Sequence, residues 1–151
     1  MFSKVLVVCV GNICRSPMAT ALLRHRSTSP GLSVDSAGLH ACAGDSFDPL
    51  AQAVLNDHGI ALQEHSATQV TTEQLHWADL ILVMEQAHLR SLLPKVPEIR
   101  GKTFLIGKWR HEMEIGDPYG RPRAAFDRTF ANLSLCVDDW LPYLSDEERQ
   151  K

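Results

Sequence analysis

Residues 4–10 are apolar on both faces and rich in β-branched side chains until Gly11 and Asn12 interrupt them, which predicts a strand buried on both sides. Residues 79–84 repeat that pattern, and residues 32–37 and 103–106 read as shorter strands. Between the strands the apolar period lengthens to that of helices. Ser16 and Pro17 open one, with Ser16 as N-cap, Pro17 in the first helical position and Met18, Leu22 and Leu23 on the apolar face. Asp48 and Pro49 open another by the same logic; Leu50, Val54 and Leu55 face inward and Gly59 ends it. Thr71 and Gln74 have capping-box spacing ahead of a short helix through Leu75 and Trp77. A helix over 86–93 stops before Pro94, and the polar stretch 108–122, with its Gly and Pro residues, is expected as a long loop. The last helix is the most regular, with Phe126, Phe130, Leu133, Val137, Trp140 and Leu141 on one face at steps of three and four.

Strands alternating with helices imply an α/β fold, a small four-stranded parallel sheet that is doubly wound with helices on both faces. Such sheets take ligands beyond the carboxyl ends of their strands, where the winding direction switches. The length of 151 residues suits a single domain over 1–151, able to bury a core without staples. Net charge is only -3, and the 15 Lys and Arg residues are dispersed, which argues against nucleic acid as a partner. No apolar run is long enough for a signal-peptide core or a membrane span, so the expectation is a cytoplasmic protein without membrane insertion. In that compartment Cys9, Cys14, Cys42 and Cys136 are expected as reduced thiols. They form no C-x-x-C pair, and no metal or other cofactor is expected.

The segment that carries chemistry runs Cys9-Val10-Gly11-Asn12-Ile13-Cys14-Arg15-Ser16-Pro17, joining the first strand to the first helix. Gly11 and Asn12 let the backbone turn with its N–H groups inward as an anion nest. The helix adds its own free N–H groups and the positive end of its dipole. Arg15 brings a planar fork that can hold two phosphate oxygens. Positive surroundings of this kind stabilise a Cys9 thiolate, placed for in-line attack on phosphorus. A C-x5-R spacing alone occurs by chance in many chains; the strand–nest–helix setting is what makes it an anion site. A Walker phosphate loop is excluded, because no G-x4-G-K-[ST] is present.

This segment resembles the signature loop of the low-molecular-weight protein tyrosine phosphatases at every fixed position. The resemblance continues in order through Asp35-Ser36-Ala37-Gly38, Asp48-Pro49, Gly59-Ile60, His65-Ser66-Ala67, residues 78–84 and Asp117-Pro118-Tyr119. It implies a flavodoxin-like strand order of 2-1-3-4 and hydrolysis of phosphotyrosine through a phosphocysteine. Cys9 is then the nucleophile, Arg15 the clamp and Asp117 the acid. Asn12, Ser16, Ser36 and His65 support the loop, and Ile13, Leu39 and Tyr119 form a slot for the aromatic ring. Cys14 is implied as a reversible disulfide partner that spares Cys9 from over-oxidation. Cys42 and Cys136 receive no role.

Members that act on phosphoarginine carry Thr where this chain has Ile13, so Ile13 favours phosphotyrosine. Gly120 replaces a second aromatic found in many eukaryotic members, and with Leu39 this points to the bacterial branch. Its partners are often tyrosine autokinases of capsule or exopolysaccharide export. Alternatives are an arsenate reductase of the same fold and a redox-regulated phosphotyrosine-binding module without turnover. The first needs relay cysteines that residues 84–93 lack, and the second would have lost one of Cys9, Arg15 or Asp117. A phosphocarrier subunit has no need of Arg15 together with Asp117.

Overall fold

The computed structural model describes residues 1–61 and 63–144. Expectations that extend over residue 62 and residues 145–151, such as one domain spanning 1–151, reach outside the described residues. The two strongly apolar segments become adjacent central strands, β1 (Lys4–Cys9) and β3 (Leu80–Val83). Every β3 residue is buried, as is β1 from Val5 onward, because helices cover both sheet faces. The shorter strands β2 (Ser33–Gly38) and β4 (Thr103–Leu105) take the edges, and all pairs are parallel in the order β2-β1-β3-β4.

Strand alternation splits the core in two. Val5, Val7, Leu80 and Leu82 face one way, against α1 (Arg15–Arg26), α2 (Pro49–Asp57) and α5 (Arg123–Trp140). Leu6, Val8, Ile81 and Val83 face the other, against Leu75 of α3 (Thr72–Trp77) and Leu92 of α4 (Gln86–Leu92). The chain leaves β1 for β2 on one side, while β3 pairs on the other. The carboxyl end of β1 is therefore the switch point, and the loop after Cys9 sits there.

Most element boundaries follow the expected signals. Asp48 caps α2, its Oδ1 accepting from the Leu50 N–H at 2.8 Å, and Gly59 supplies a left-handed φ of 69° beyond its end. The Thr71–Gln74 box is reciprocal, at 3.0 and 3.1 Å. One boundary differs. Ser16 is not the N-cap of α1: the helix starts at Arg15, Cys14 is the cap residue, and Ser16 lies inside the first turn. Asn12 turns the loop early through a φ of 60°, so the Met18 N–H already reaches the Cys14 carbonyl at 3.0 Å. Pro17 costs nothing there, since the N–H groups of a first helical turn have no intrahelical acceptor. The Ser16 hydroxyl is thereby released for the site.

Residues 108–122 form neither helix nor strand, as expected, but two anchors shape them. Gly107 meets Met113 so closely that a Cβ would lie 2.1 Å from the Met113 carbonyl oxygen, and the Ile115 N–H bonds to the Met84 carbonyl at 2.9 Å. Among the described residues no helix is long and apolar enough to cross a membrane.

Candidate active site

The carbonyl groups from Cys9 to Cys14 are all occupied. The Leu39, His40 and Cys42 N–H groups donate to Cys9, Val10 and Gly11 at 2.9, 3.0 and 3.0 Å. His65 Nε2 donates to Asn12 at 2.6 Å, and the Asp48 and Met18 N–H groups donate to Ile13 and Cys14, each at 3.0 Å. A trans peptide points its N–H opposite its C=O, and the structure has no cis bond among the described residues. Turning six carbonyls outward therefore turns the following N–H groups inward. Those of Gly11 through Arg15 have no acceptor among the described residues. A ring of unpaired, inward N–H groups at the start of a helix is an anion site.

Cys9 stands at the floor of this ring, 2% exposed, its Sγ 2.9 Å from Ser16 Oγ. Hydrogen counting assigns that contact. Asn12 Nδ2 spends one proton on Ser16 Oγ at 2.8 Å and the other on Ser36 Oγ at 3.0 Å. Ser16 Oγ is thus an acceptor from Asn12, and its own proton is free to donate to sulfur. Asn12 Oδ1 accepts the Thr68 N–H at 3.0 Å. The four residues expected to support the loop are thus brought together in one network.

Gly38 is a support that its neighbours in sequence do not reveal. A Cβ there would lie 2.4 Å from the Val10 carbonyl oxygen and 3.1 Å from Asn12 Cβ, so β2 approaches the loop only through a glycine. Gly38→Ala is expected to displace the loop, lowering kcat/KM on an aryl phosphate by about tenfold to a hundredfold. Thermal melting beside steady-state kinetics checks this; unchanged kinetics would show that the loop tolerates the displacement.

Arg15 is 2% exposed, and its guanidinium is held along one edge. Nη1 donates to Glu85 Oε2 at 2.5 Å and to the Ile115 carbonyl at 2.8 Å. Nη2 lies 3.8 Å from Asp117 Oδ2. Asp117 is half exposed, and its Oδ1 accepts the Tyr119 N–H at 3.1 Å, which fixes the turn at Pro118.

Cys9, Arg15, Asp117, Ile13 and Tyr119 line one open cavity of about 230 Å³ with the rest of the loop. Leu39 does not line it. The expected slot wall shares strand parity with Ala37, so its side chain packs on the opposite core and borders a separate depression with Val70 and Leu75. His40 and Cys42 supply that wall of the cavity instead. Cys14 is 3% exposed; burial, reinforced by the Asp48 and Asp117 carboxylates, pushes its thiol well above the ordinary range. All four cysteines are free thiols. Sequence reasoning missed Glu85, which is 70 positions from Arg15, and the Ile115 carbonyl, 100 positions away. The only signal for Glu85 was its position just after a buried strand whose carboxyl end lies beside that of β1.

A doubly wound sheet with a thiol beneath an anion ring at its switch point defines a cysteine-containing phosphate-loop protein. Residues 4–150 match the family described as low molecular weight phosphotyrosine protein phosphatase, and the chain belongs to that family. It is 43% identical over 148 residues, 98% of each chain, to the low molecular weight protein-tyrosine-phosphatase Wzb of Salmonella typhimurium. The crystal structure of the Erwinia amylovora tyrosine phosphatase amsI superposes with a TM-score of 0.89 at 42% identity, covering 97% of this chain and 95% of that one. The YwlE arginine phosphatase from Geobacillus stearothermophilus superposes with a TM-score of 0.87 at 33% identity, covering 93% of this chain and 91% of that one.

Proposed function

We propose that this protein hydrolyses phosphotyrosine in proteins through a phosphocysteine intermediate. The observation that carries the reading is the ring of inward N–H groups around the Cys9 thiol, completed by Arg15. In the first step Cys9 Sγ attacks phosphorus from the floor while the bond to the phenolic oxygen breaks. The leaving phenolate, whose conjugate acid has a pKa of ~10, takes a proton from Asp117. The N–H ring and Arg15 stabilise the equatorial oxygens throughout. In the second step water loses a proton to Asp117 and attacks phosphorus, the P–S bond breaks, and phosphate leaves with the thiolate restored. Ser16 donates to the sulfur each time it carries charge.

The similarity to a tyrosine phosphatase and to an arginine phosphatase leaves two substrate classes open to this fold, an aromatic phosphate ester and a phosphoramidate. Ile13 and Tyr119, which both line the cavity, favour the aromatic one, since both offer apolar surface to a phenyl ring. Peptides bearing phosphotyrosine, phosphoarginine or phosphoserine should be turned over with a strong preference for phosphotyrosine. Equal or faster turnover of the phosphoarginine peptide would overturn the assignment. Resemblance to the bacterial branch supports a finer reading, a cytoplasmic enzyme acting on a tyrosine autokinase of capsule or exopolysaccharide production.

A further inference from the structure

His88, the third residue of α4, is 3% exposed and has polar neighbours at both ring nitrogens. Nδ1 lies 3.3 Å from the Met84 N and 3.2 Å from the Glu85 N. Backbone N–H groups can only donate, so Nδ1 is the bare nitrogen and the ring proton sits on Nε2. Nε2 is 3.4 Å from Glu85 Oε2, the same oxygen that receives Arg15 Nη1 at 2.5 Å. We propose that His88 is a positioning residue for the phosphate clamp, its Nε2 edge packed 3.4 Å from the Glu85 carboxylate and confining it where it locks one edge of Arg15. The inference rests on the phosphatase reading above.

The physical need is clear from the neighbours. Glu85 is one-third exposed and has three torsions, so a lone Glu85 can swing toward water. Arg15 is buried beside a second carboxylate, Asp117, at 3.8 Å. If Glu85 let go, the guanidinium would be drawn toward Asp117, tying up the acid and turning the fork away from phosphate. Four charged groups act on His88: Arg15, Glu85, Glu114 and Asp117. Burial first, then Arg15, lower its pKa from the ordinary 6.5, against the pull of the three carboxylates. A proton on Nδ1 would also face two backbone donors. The neutral ring therefore contributes stability above pH 6.5 that is lost as pH falls below it, because only the unfolded chain gains the proton there.

Two variants separate the ring nitrogens. His88→Asn keeps an acceptor near Nδ1 for the Met84 and Glu85 N–H groups but removes the donor at Nε2. His88→Gln places an amide donor near Nε2. With 4-nitrophenyl phosphate as substrate and inorganic phosphate as competitive inhibitor, His88→Asn is expected to lose about tenfold to a hundredfold in kcat/KM and to weaken phosphate inhibition. His88→Gln should recover most of both.

In an Arg15→Lys background, where no planar fork remains to be held, His88→Asn should cost little more. Wild-type kinetics for His88→Asn, or the same loss in both backgrounds, would overturn the proposal. If His88→Asn melts early, His88→Gln decides, and failure to regain activity or phosphate affinity counts against it. Unchanged turnover by Arg15→Lys alone would instead remove the clamp, and with it the phosphatase reading.

Discussion

Replacement of Cys9 by Ser is expected to lower turnover of any aryl phosphate by on the order of 10⁴-fold or more, while inorganic phosphate still binds. The two parts of that result have separate causes. Binding comes from the loop N–H groups and Arg15, which the substitution leaves in place. Turnover requires a strong nucleophile. Sulfur is intrinsically the stronger one, whereas a serine hydroxyl at the same point has no adjacent base to take its proton. The substituted protein should therefore hold phosphotyrosine proteins without releasing them, and capture followed by sequencing would name the physiological target. Steady-state kinetics and phosphate titration by calorimetry check both parts. Substantial residual turnover would sink the phosphocysteine route, and lost phosphate binding would mean that the thiol supports the loop.

The second large effect belongs to Asp117. Asp117→Ala should slow a phosphotyrosine peptide by about 10²- to 10⁴-fold, the usual range for a lost general acid. An aryl phosphate whose phenol is several pK units more acidic should suffer far less in the first step, since its leaving group departs without a proton. The contrast between the two substrates is the diagnostic, because Asp117 also lies 3.8 Å from Arg15 and closes the turn at Tyr119. Misplacement of the clamp would slow both substrates alike. Equal losses would therefore assign Asp117 to positioning, and leave the proton to another donor.

The phosphate loop was legible because its chemistry is local. A buried strand, a Gly-Asn turn and a helix start lie within 14 residues, and each signal reports on backbone geometry a few positions away. The sheet was legible for a similar reason: two doubly apolar segments have to be central, and the shorter ones fall at the edges. Ser16 shows where local rules stop. Its type and its Pro neighbour read as a cap, yet the left-handed Asn12 moved the helix start forward and gave the hydroxyl to Cys9. Leu39 was lost to parity, since Gly38 ends β2 and the next side chain follows Ala37 to the far face.

By itself, then, the sequence determined the doubly wound sheet and the place of the Cys9–Arg15 loop at its switch point, while Asp117 entered as a candidate through the family resemblance. Only the tertiary structure decided what holds them. Glu85, the Ile115 carbonyl and the close approach of Gly38 reach the loop from distant parts of the chain. Spacing along a chain encodes helices, strands and turns, but it does not state which distant carboxylate will meet a buried guanidinium. That pairing is set by how the sheet brings the ends of β1 and β3 together.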